Sequence, residues 1–178
     1  MMKYSLPMRL LHWAMAAIIL CMVSVGRTMV SLDDHVPAKF TLLYPWHKSL
    51  GMLVLLLVFV RLAIRARSSV LPLPTMLAPW ETAAARAAKV ALYALMIIVP
   101  CMGYAMSSSY TKSDGVFFFG TMLPELLPKN DARFEVFRLL HRVLAYTLLT
   151  LSFIHAIGAL KHRFLDRDKR NDVLSRMI

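Results

Sequence analysis

Two histidines lie far apart within one apolar stretch near the C-terminal end of the chain. His141 and His155 are fourteen positions apart in the segment LLHRVLAYTLLTLSFIHAIGALKH, residues 139–162. In an α-helix this separation is close to four turns, so the two imidazoles share one face and lie about 21 Å apart along the axis. Ionisable side chains are costly inside a membrane unless they perform a function. The spacing therefore predicts two metal centres at different depths.

The composition indicates that this helix lies in a membrane. The chain has 178 residues, of which 58% are hydrophobic and 17% are charged, and the apolar residues occur in blocks. We predict one domain over residues 1–178, an all-α transmembrane four-helix bundle with spans of the length that a bilayer requires. The predicted spans are residues 10–30, 46–64, 83–107 and 142–160. Lys48 and Arg61 border the charge-free part of the second span, and we expect both to snorkel towards the membrane surfaces.

The formal net charge of +11 is explained by basic residues that flank the spans. Such residues are typical of topology determinants and lipid-headgroup contacts, so we expect no nucleic-acid partner. The two terminal segments and the connection between the second and third spans hold 13 of the 21 basic and 4 of the 10 acidic residues. The other two loops hold 8 basic and 6 acidic residues. The positive-inside rule therefore places both termini in the cytoplasm.

With this topology, four histidines form two pairs by depth. His47 begins the second span and His141 the fourth, both at the outer side, whereas His12 and His155 lie at the inner side. A haem iron with two axial histidines needs two imidazoles that face each other at one depth. The pattern predicts two b-type haems, one ligated by each pair. The sequence has no C-x-x-C-H motif, so these haems would be bound non-covalently.

Alternatives to this ligand set remain open at some positions. His162 lies two turns beyond His155 on nearly the same face, and it could replace His155 as the inner ligand. Zinc is the competing metal, but it needs four converging ligands, and no third or fourth ligand lies at either depth. A histidine at a membrane surface is commonly a snorkelling polar residue, which is our interpretation of His35 in the first outer loop.

The connecting segments carry turn and membrane-surface signals. Residues 68–80 contain three prolines and are predicted to form an irregular cytoplasmic link. Residues 107–130 form the second outer loop, which we expect to lie at the membrane interface as a short lid. Pro100 should bend the third span, and Gly103 favours close helix packing. The tail from Lys161 onward is basic and amphipathic, which is typical of a segment on the inner leaflet surface.

Several of these segments resemble the bacterial cytochrome b561 family of small four-helix di-haem membrane proteins. The resemblance covers nearly the whole chain and rests on YSLPMRLLHW, HKSLGMLVLLLVFVRLAIR, LYALMIIVPCMGY and LHRVLAYTLLTLSFIHAIGALKHRFLDRD followed by LSRM. By match of motif, the family's axial histidines fall on His12, His47, His141 and His155. Family members often carry two histidines at the start of the third span, where this chain has Arg86 and Lys89. Any role of that histidine pair is therefore in doubt for this chain.

The resemblance implies transmembrane electron transfer in the bacterial inner membrane. One enzyme of the family is a superoxide oxidase, which takes electrons from superoxide at the periplasmic face and passes them through two haems b to ubiquinone. This implies a respiratory oxidoreductase whose partners are membrane lipid, quinone and superoxide, although no catalytic residue is identified. The alternative is a di-haem anchor subunit that carries electrons between quinone and a partner dehydrogenase or hydrogenase. The short loops favour a self-contained enzyme.

An anionic substrate such as superoxide would be attracted by a basic outer surface. Eight basic residues are available there: Arg27, Lys39, Lys48, Lys112, Lys129, Arg133, Arg138 and Arg142. The outer loops nevertheless carry a net charge of only about +2. Lys48 and Arg142 adjoin the outer histidines, and they are equally consistent with partners for haem propionates.

Overall fold

The computed structural model describes residues 3–68, 71–72, 74, 76–113 and 115–178. Within these residues, four long helices are present: α1 (Leu6–Ser31), α2 (Tyr44–Arg67), α3 (Pro79–Ser109) and α4 (Asp131–Phe164). Each helix, with α2 extended by the turn before it, is long and apolar enough to cross a membrane. The prediction of an all-α transmembrane four-helix bundle is confirmed.

The helices begin at residues that suit a helix N-terminus. Proline lies in the first turn of α1, α2 and α3. Backbone N–H groups in the first turn have no helical acceptor, so the N–H that proline lacks costs no hydrogen bond there. The Asn130 side chain caps α4 by accepting the backbone N–H of Arg133 at 3.0 Å. A single π-helical turn, Lys39–Leu43, leads directly into α2. The α3 helix continues through Pro100 to its end at Ser109.

Helix packing follows the order of the chain. The α1 helix packs along α2, α2 along α3 and α3 along α4, whereas α1 touches α4 at few points. Two small buried clusters hold these contacts, Met15 with Val54 and Val58, and Leu95 with Val99 and Leu148. Many other large apolar side chains are exposed, as expected where the outer surface of a bundle faces lipid instead of water.

The connection between α3 and α4 forms a β-hairpin that the sequence did not predict. Strand β1 (Val116–Phe118) pairs antiparallel with β2 (Thr121–Leu123), and Phe119 and Gly120 between them have φ angles of 43° and 93°. Two consecutive positive φ angles are typical of a type I′ hairpin turn. The hairpin lies on α2, where the Ser49 hydroxyl accepts the backbone N–H of Phe119 at 3.0 Å. The segment expected to be a lid is thus a folded element against the N-terminal end of α2.

Parts of two predicted loops lie outside the described residues. In the irregular link predicted over residues 68–80, these are Ser69, Val70, Leu73 and Thr75, and in the outer loop the residue is Asp114. The link ends where α3 begins, at Pro79.

The C-terminal tail packs against the protein. It forms two short 3₁₀ turns, Lys169–Asn171 and Leu174–Arg176. The Trp13 indole N–H donates to the Met177 carbonyl at 2.8 Å, and the backbone N–H of Tyr4 donates to the Arg176 carbonyl at 3.0 Å. The tail therefore joins the start of α1 to the end of α4, a tertiary contact that its charge pattern does not predict.

Candidate haem-binding site

Two histidine pairs face each other across the boundary between α4 and the first two helices. At one end, His47 of α2 lies opposite His141 of α4, with ring centres 6.1 Å apart and ring planes at 83°. At the other end, His12 of α1 lies opposite His155 of α4, with ring centres 6.4 Å apart and planes at 82°. The structure thus brings the four histidines together in the two combinations that depth in the membrane suggested.

The spacing within each pair suits one metal ion between two imidazoles. A metal–imidazole bond of about 2.0–2.1 Å, with the nitrogen about 1.2 Å from its ring centre, places two opposed rings about 6.5 Å apart. Both pairs lie close to this value. Among the described residues, no group of three or more His, Cys, Asp or Glu side chains could hold a metal ion. Two nitrogen donors therefore suit an iron whose other ligands come from a porphyrin better than a four-coordinate zinc.

His47 and His141, the pair that the sequence predicts at the outer side, are packed directly against helix backbone. The Nδ1 atom of His141 lies 2.9 Å from the Val99 carbonyl oxygen on α3. A carbonyl can only accept, so Nδ1 carries the proton and Nε2 keeps the lone pair that an iron would need. The His141 ring lies over Gly103, where an added Cβ would stand 3.0 Å from the ring Cε1.

His47 lies in the same way on α1, over Gly26. A Cβ added at Gly26 would stand 3.3 Å from Cε1 of the His47 ring. The Nδ1 atom of His47 is buried and has no hydrogen bond of normal geometry, although the His47 ring interacts with the backbone of Met22. A metal bound at Nε2 would place the proton on Nδ1, and a small rotation of the ring would then complete the hydrogen bond to this backbone.

His12 and His155, the pair that the sequence predicts at the inner side, lie beside buried positive charge. Arg61 on α2 is only 8% exposed, and its Nε donates to the Tyr93 hydroxyl on α3 at 3.1 Å. The Arg61 guanidinium also lies 5.9 Å from the centre of the Tyr93 ring. We expected Arg61 to snorkel, and it points inward because Tyr93 provides both an acceptor and an aromatic face. Arg61 and half-buried Lys89 lie near His155.

The positive charges at this end are not neutralised by protein carboxylates. Neither Arg61 nor Lys89 is among the ion pairs formed within the described ranges of the chain. Arg86, the other residue at the position of the family's histidine pair, is exposed. The inner histidines are therefore surrounded by more uncompensated positive charge than the sequence alone suggested.

His162, the alternative inner ligand, belongs to the C-terminal turn. Its Nδ1 lies 2.9 Å from Oδ2 of Asp166, and the Asn171 side-chain N–H donates to the same oxygen at 3.0 Å. The hydrogen bond from His162, followed by those from Asn171 and Lys161, lowers the pKa of the Asp166 carboxyl to about 2. This arrangement favours His155 as the histidine that faces His12. His35 is exposed in the connection between α1 and α2.

An apolar cleft of about 570 Å³ follows α4 between its two histidine positions. Its lining includes Arg142, Tyr146, Thr150 and Ile154. At 100° per residue, most of these side chains lie on the side of α4 turned away from His141 and His155, so the cleft is part of the outer surface of the bundle. The donor atoms and the ring spacing fit a haem group.

Four membrane-spanning helices with facing histidine pairs are typical of membrane cytochromes that transfer electrons. Residues 3–178 match the family model of prokaryotic cytochrome b561. The chain belongs to that family, so it is a bacterial membrane protein that binds b-type haem and takes part in electron transfer.

Three of the relatives that match this chain do so over nearly its full length. Cytochrome b561 homolog 2 of Escherichia coli (strain K12) is 32% identical over 177 residues, 99% of this chain and 91% of that protein. The probable superoxide oxidase CybB of Yersinia pestis is 25% identical over 170 residues, 93% of this chain and 92% of that protein. Cytochrome b561 homolog 1 of Escherichia coli (strain K12) is 25% identical over 174 residues, 94% of each. The family resemblance predicted from the motifs is confirmed.

Proposed function

We propose that the chain conducts electrons across the bacterial inner membrane through two haems b, each held by two histidines. His47 and His141 would hold the outer haem, and His12 and His155 the inner haem. The observation that supports this most is the presence of two pairs, at opposite ends of α4, with ring separations of 6.1 and 6.4 Å. Haem, when bound, supplies a centre that gains and loses one electron at a time. The histidines determine where these centres lie and which potential each has.

The proposed orientation has both termini in the cytoplasm. Basic residues stand in the last turns of α2 and α4, which end on this side: Arg65, Arg67, Lys161, His162 and Arg163. Positive charge that borders a span on one side favours the cytoplasmic leaflet. This orientation makes His12 and His155 the inner pair and puts the hairpin on the periplasmic face.

The reaction that we infer is oxidation of superoxide outside, coupled to reduction of ubiquinone in the membrane. Two superoxide anions would each lose one electron and become O₂, and ubiquinone would take up the two electrons with two protons to become ubiquinol. A one-electron donor and a two-electron acceptor need a carrier of single electrons between them, which two haems in series provide. The similarity to a probable superoxide oxidase, at 25% identity, supports this reaction.

Fewer outer cations are available for an anionic substrate than the sequence suggests. Three of them pair with carboxylates: Lys39 with Asp34, Lys129 with Glu125, and Arg138 with Glu135. Lys48 donates to the Gly115 carbonyl at 3.1 Å and so helps to hold the hairpin. Arg142 is exposed, lines the cleft along α4 and follows His141 directly. Arg142 is therefore the outer cation best placed to attract superoxide towards the outer haem.

The test is rapid mixing of the purified, oxidised protein with superoxide while haem absorbance is followed. We expect haem reduction on mixing, loss of that reduction when superoxide dismutase is present, and haem reoxidation when a ubiquinone analogue is added. A protein that purifies without haem absorbance would contradict the whole proposal. If quinol reduces the haem but superoxide does not, the proposed oxidation of superoxide is contradicted. The anchor-subunit alternative would then be tested by co-purification with a soluble dehydrogenase or hydrogenase.

A further inference from the structure

We propose that Gly103 and Gly26 are positioning residues for the outer histidine pair, and that they help to set the potential of the outer haem below that of the inner haem. At each glycine, the missing side chain lets an imidazole lie on the backbone of a neighbouring helix and approach a main-chain carbonyl. This inference rests on the proposed ligation of the outer haem by His47 and His141. The inference adds to the haem site two residues that have no side-chain functional group.

The arrangement at Gly103 shows why a side chain is excluded. Residue 103 follows Val99 by four positions, so its Cβ would project towards the N-terminus of α3, over the Val99 carbonyl. That Cβ would stand 3.0 Å from Cε1 and 3.1 Å from Nδ1 of His141, closer than carbon atoms normally approach. The same Nδ1 lies 2.9 Å from the Val99 oxygen. The hydrogen bond therefore depends on a glycine at this position.

The same four-residue relation recurs on α1. Gly26 follows Met22 by four positions, and a Cβ at Gly26 would stand 3.3 Å from Cε1 and 3.7 Å from Nδ1 of His47. The His47 ring interacts with the Met22 backbone, and its Nδ1 atom is buried without a hydrogen bond of normal geometry. Ligation at Nε2 would fix the proton on Nδ1 and favour a hydrogen bond to such an acceptor. His47 would then make the kind of contact on α1 that His141 makes on α3.

The inner pair has no such contact. Gly158, three residues after His155 on α4, has no atom within 4 Å of an added Cβ. In the described part of the chain, the ring nitrogens of His12 and His155 make no hydrogen bond, unlike those of His141 and His162. The two sites therefore differ in how their ligands are held, although their ring separations are similar.

The difference between the two sites predicts which haem has the lower reduction potential. An Nδ1–H that donates to a carbonyl makes Nε2 a stronger electron donor, which stabilises the oxidised iron and lowers the potential of the outer haem. At the inner pair, nearby Arg61 and Lys89 stabilise the added electron and raise the potential. Electrons that enter at the outer haem would then move to the inner haem spontaneously.

The test compares Gly103→Ala and Gly26→Ala with the matched control Gly158→Ala in the full-length haem-loaded protein. Haem per chain, the low-spin electron paramagnetic resonance signals and an optical redox titration are measured. We expect Gly158→Ala to match the parent protein. We expect Gly103→Ala either to lose the outer haem or to keep it with a higher potential and an altered signal. Gly26→Ala should shift the same haem by less, because its Cβ contact is 3.3 Å instead of 3.0 Å.

Several results would overturn the inference. One is Gly103→Ala with unchanged haem content, signals and potentials, and another is a change confined to the inner haem. If Gly103→Ala does not fold, Gly26→Ala decides, and an unchanged outer haem in that variant would reject the inference. A parent outer haem with a higher potential than the inner haem would also reject it. His141→Ala separates this failure from that of the proposed function. If His141→Ala loses the outer haem while the glycine variants are unchanged, only the positioning role fails.

Discussion

The Nδ1 atom of His141 lies 2.9 Å from the carbonyl oxygen of Val99, on the helix that precedes its own in the chain. This contact fixes the tautomer of the imidazole and leaves Nε2 free to act as a ligand. The bond forms beside Pro100, within a helix that continues on both sides of it. A membrane helix supplies few acceptors to its neighbours, because its carbonyls are already bonded along the helix. A helical carbonyl oxygen has a second lone pair, and this lone pair can accept where a nearby glycine leaves room for a donor.

The ligand pairs predict which haem each histidine variant loses. His47→Ala and His141→Ala should each remove the outer haem, and His12→Ala and His155→Ala the inner haem, because one axial ligand holds the iron too weakly. Total haem should fall by half in each variant, measured as haem per chain, and the remaining redox transition identifies the site that survives.

His162→Ala is the matched control for these variants. The His162 ring bonds to Asp166 in the C-terminal turn, so this variant should keep both haems. Depletion of the inner haem in His162→Ala but not in His155→Ala would show that the inner ligand is wrongly assigned. Loss of the inner haem in His141→Ala would contradict the pairing itself.

Arg61→Gln should lower the potential of the inner haem. In general, a positive charge about 10 Å from a redox centre stabilises an added electron by about 1–2 kcal/mol at an effective dielectric constant near 20, or roughly 40–90 mV for a one-electron couple. Arg61 is 8% exposed, so solvent screens it little. The measurement is an optical redox titration. Arg67→Gln, an exposed position at the end of the same helix, is the control and should leave both potentials unchanged. A shift of the outer haem alone would refute this role of Arg61.

Ser49→Ala should loosen the hairpin over the outer end of α2. The Ser49 side chain is fully buried, accepts the Phe119 N–H at 3.0 Å and donates to the Pro45 carbonyl at 2.9 Å. Removal of the hydroxyl leaves a backbone N–H without its partner, at a cost of about 1–3 kcal/mol. Amide exchange at residues 116–123 should become faster. Ser152→Ala removes a hydroxyl that bonds only within α4 and should not change this exchange. Equal exchange in both variants would show that Ser49 does not hold the hairpin.

The sequence was sufficient to predict the four helices, and the histidines that it groups by depth face each other in the structure. A bilayer demands long apolar helices, and a helix places residues fourteen positions apart on one face, so both features follow from local rules. The hairpin was missed for a physical reason. Its strands have three residues each, and Phe119 adopts a positive φ that sequence rules assign to glycine, asparagine or aspartate.

Side-chain direction could not be predicted for residues whose partners lie on other helices. Arg61 borders an apolar run and therefore looked like a snorkelling residue, but the hydroxyl and ring of Tyr93 turn it inward. Gly103 indicates close helix packing in the sequence, but in the structure the His141 ring, and not a helix backbone, packs against it. Gly26 gave no signal by itself. It becomes informative only when it is compared with Gly103, since each glycine follows a carbonyl near an imidazole by four residues.

Asp166→Asn should loosen the C-terminal turn and remove its acid sensitivity. The pKa of Asp166 is lowered from 3.8 to about 2, chiefly by the hydrogen bond from His162. A lowered pKa means that the carboxylate stabilises the turn fully above pH 3.8 and that this contribution is lost as the pH falls through about 2. Amide exchange over residues 166–177 should therefore rise in this pH window in the parent protein and not in the variant. Glu135→Gln, at an exposed ion pair with Arg138 outside this segment, is the control and should retain the acid response of the parent. Identical pH profiles for Asp166→Asn and the parent would contradict the role of this carboxylate.

Arg142→Gln should slow haem reduction by superoxide without changing haem content. Arg142 is exposed beside His141, so its charge would act on the approach of an anion, and such attraction weakens as salt increases. The rate constant for haem reduction should fall several-fold at low ionic strength, and the difference from the parent should shrink as the ionic strength rises. Arg133→Gln, an exposed arginine in the first turn of the same helix, removes the same charge farther from the histidine pair and should have a smaller effect. A loss that does not depend on salt, or one accompanied by a changed outer-haem potential, would mean that Arg142 acts on the haem itself, as a partner of its propionates, and not on the approach of superoxide.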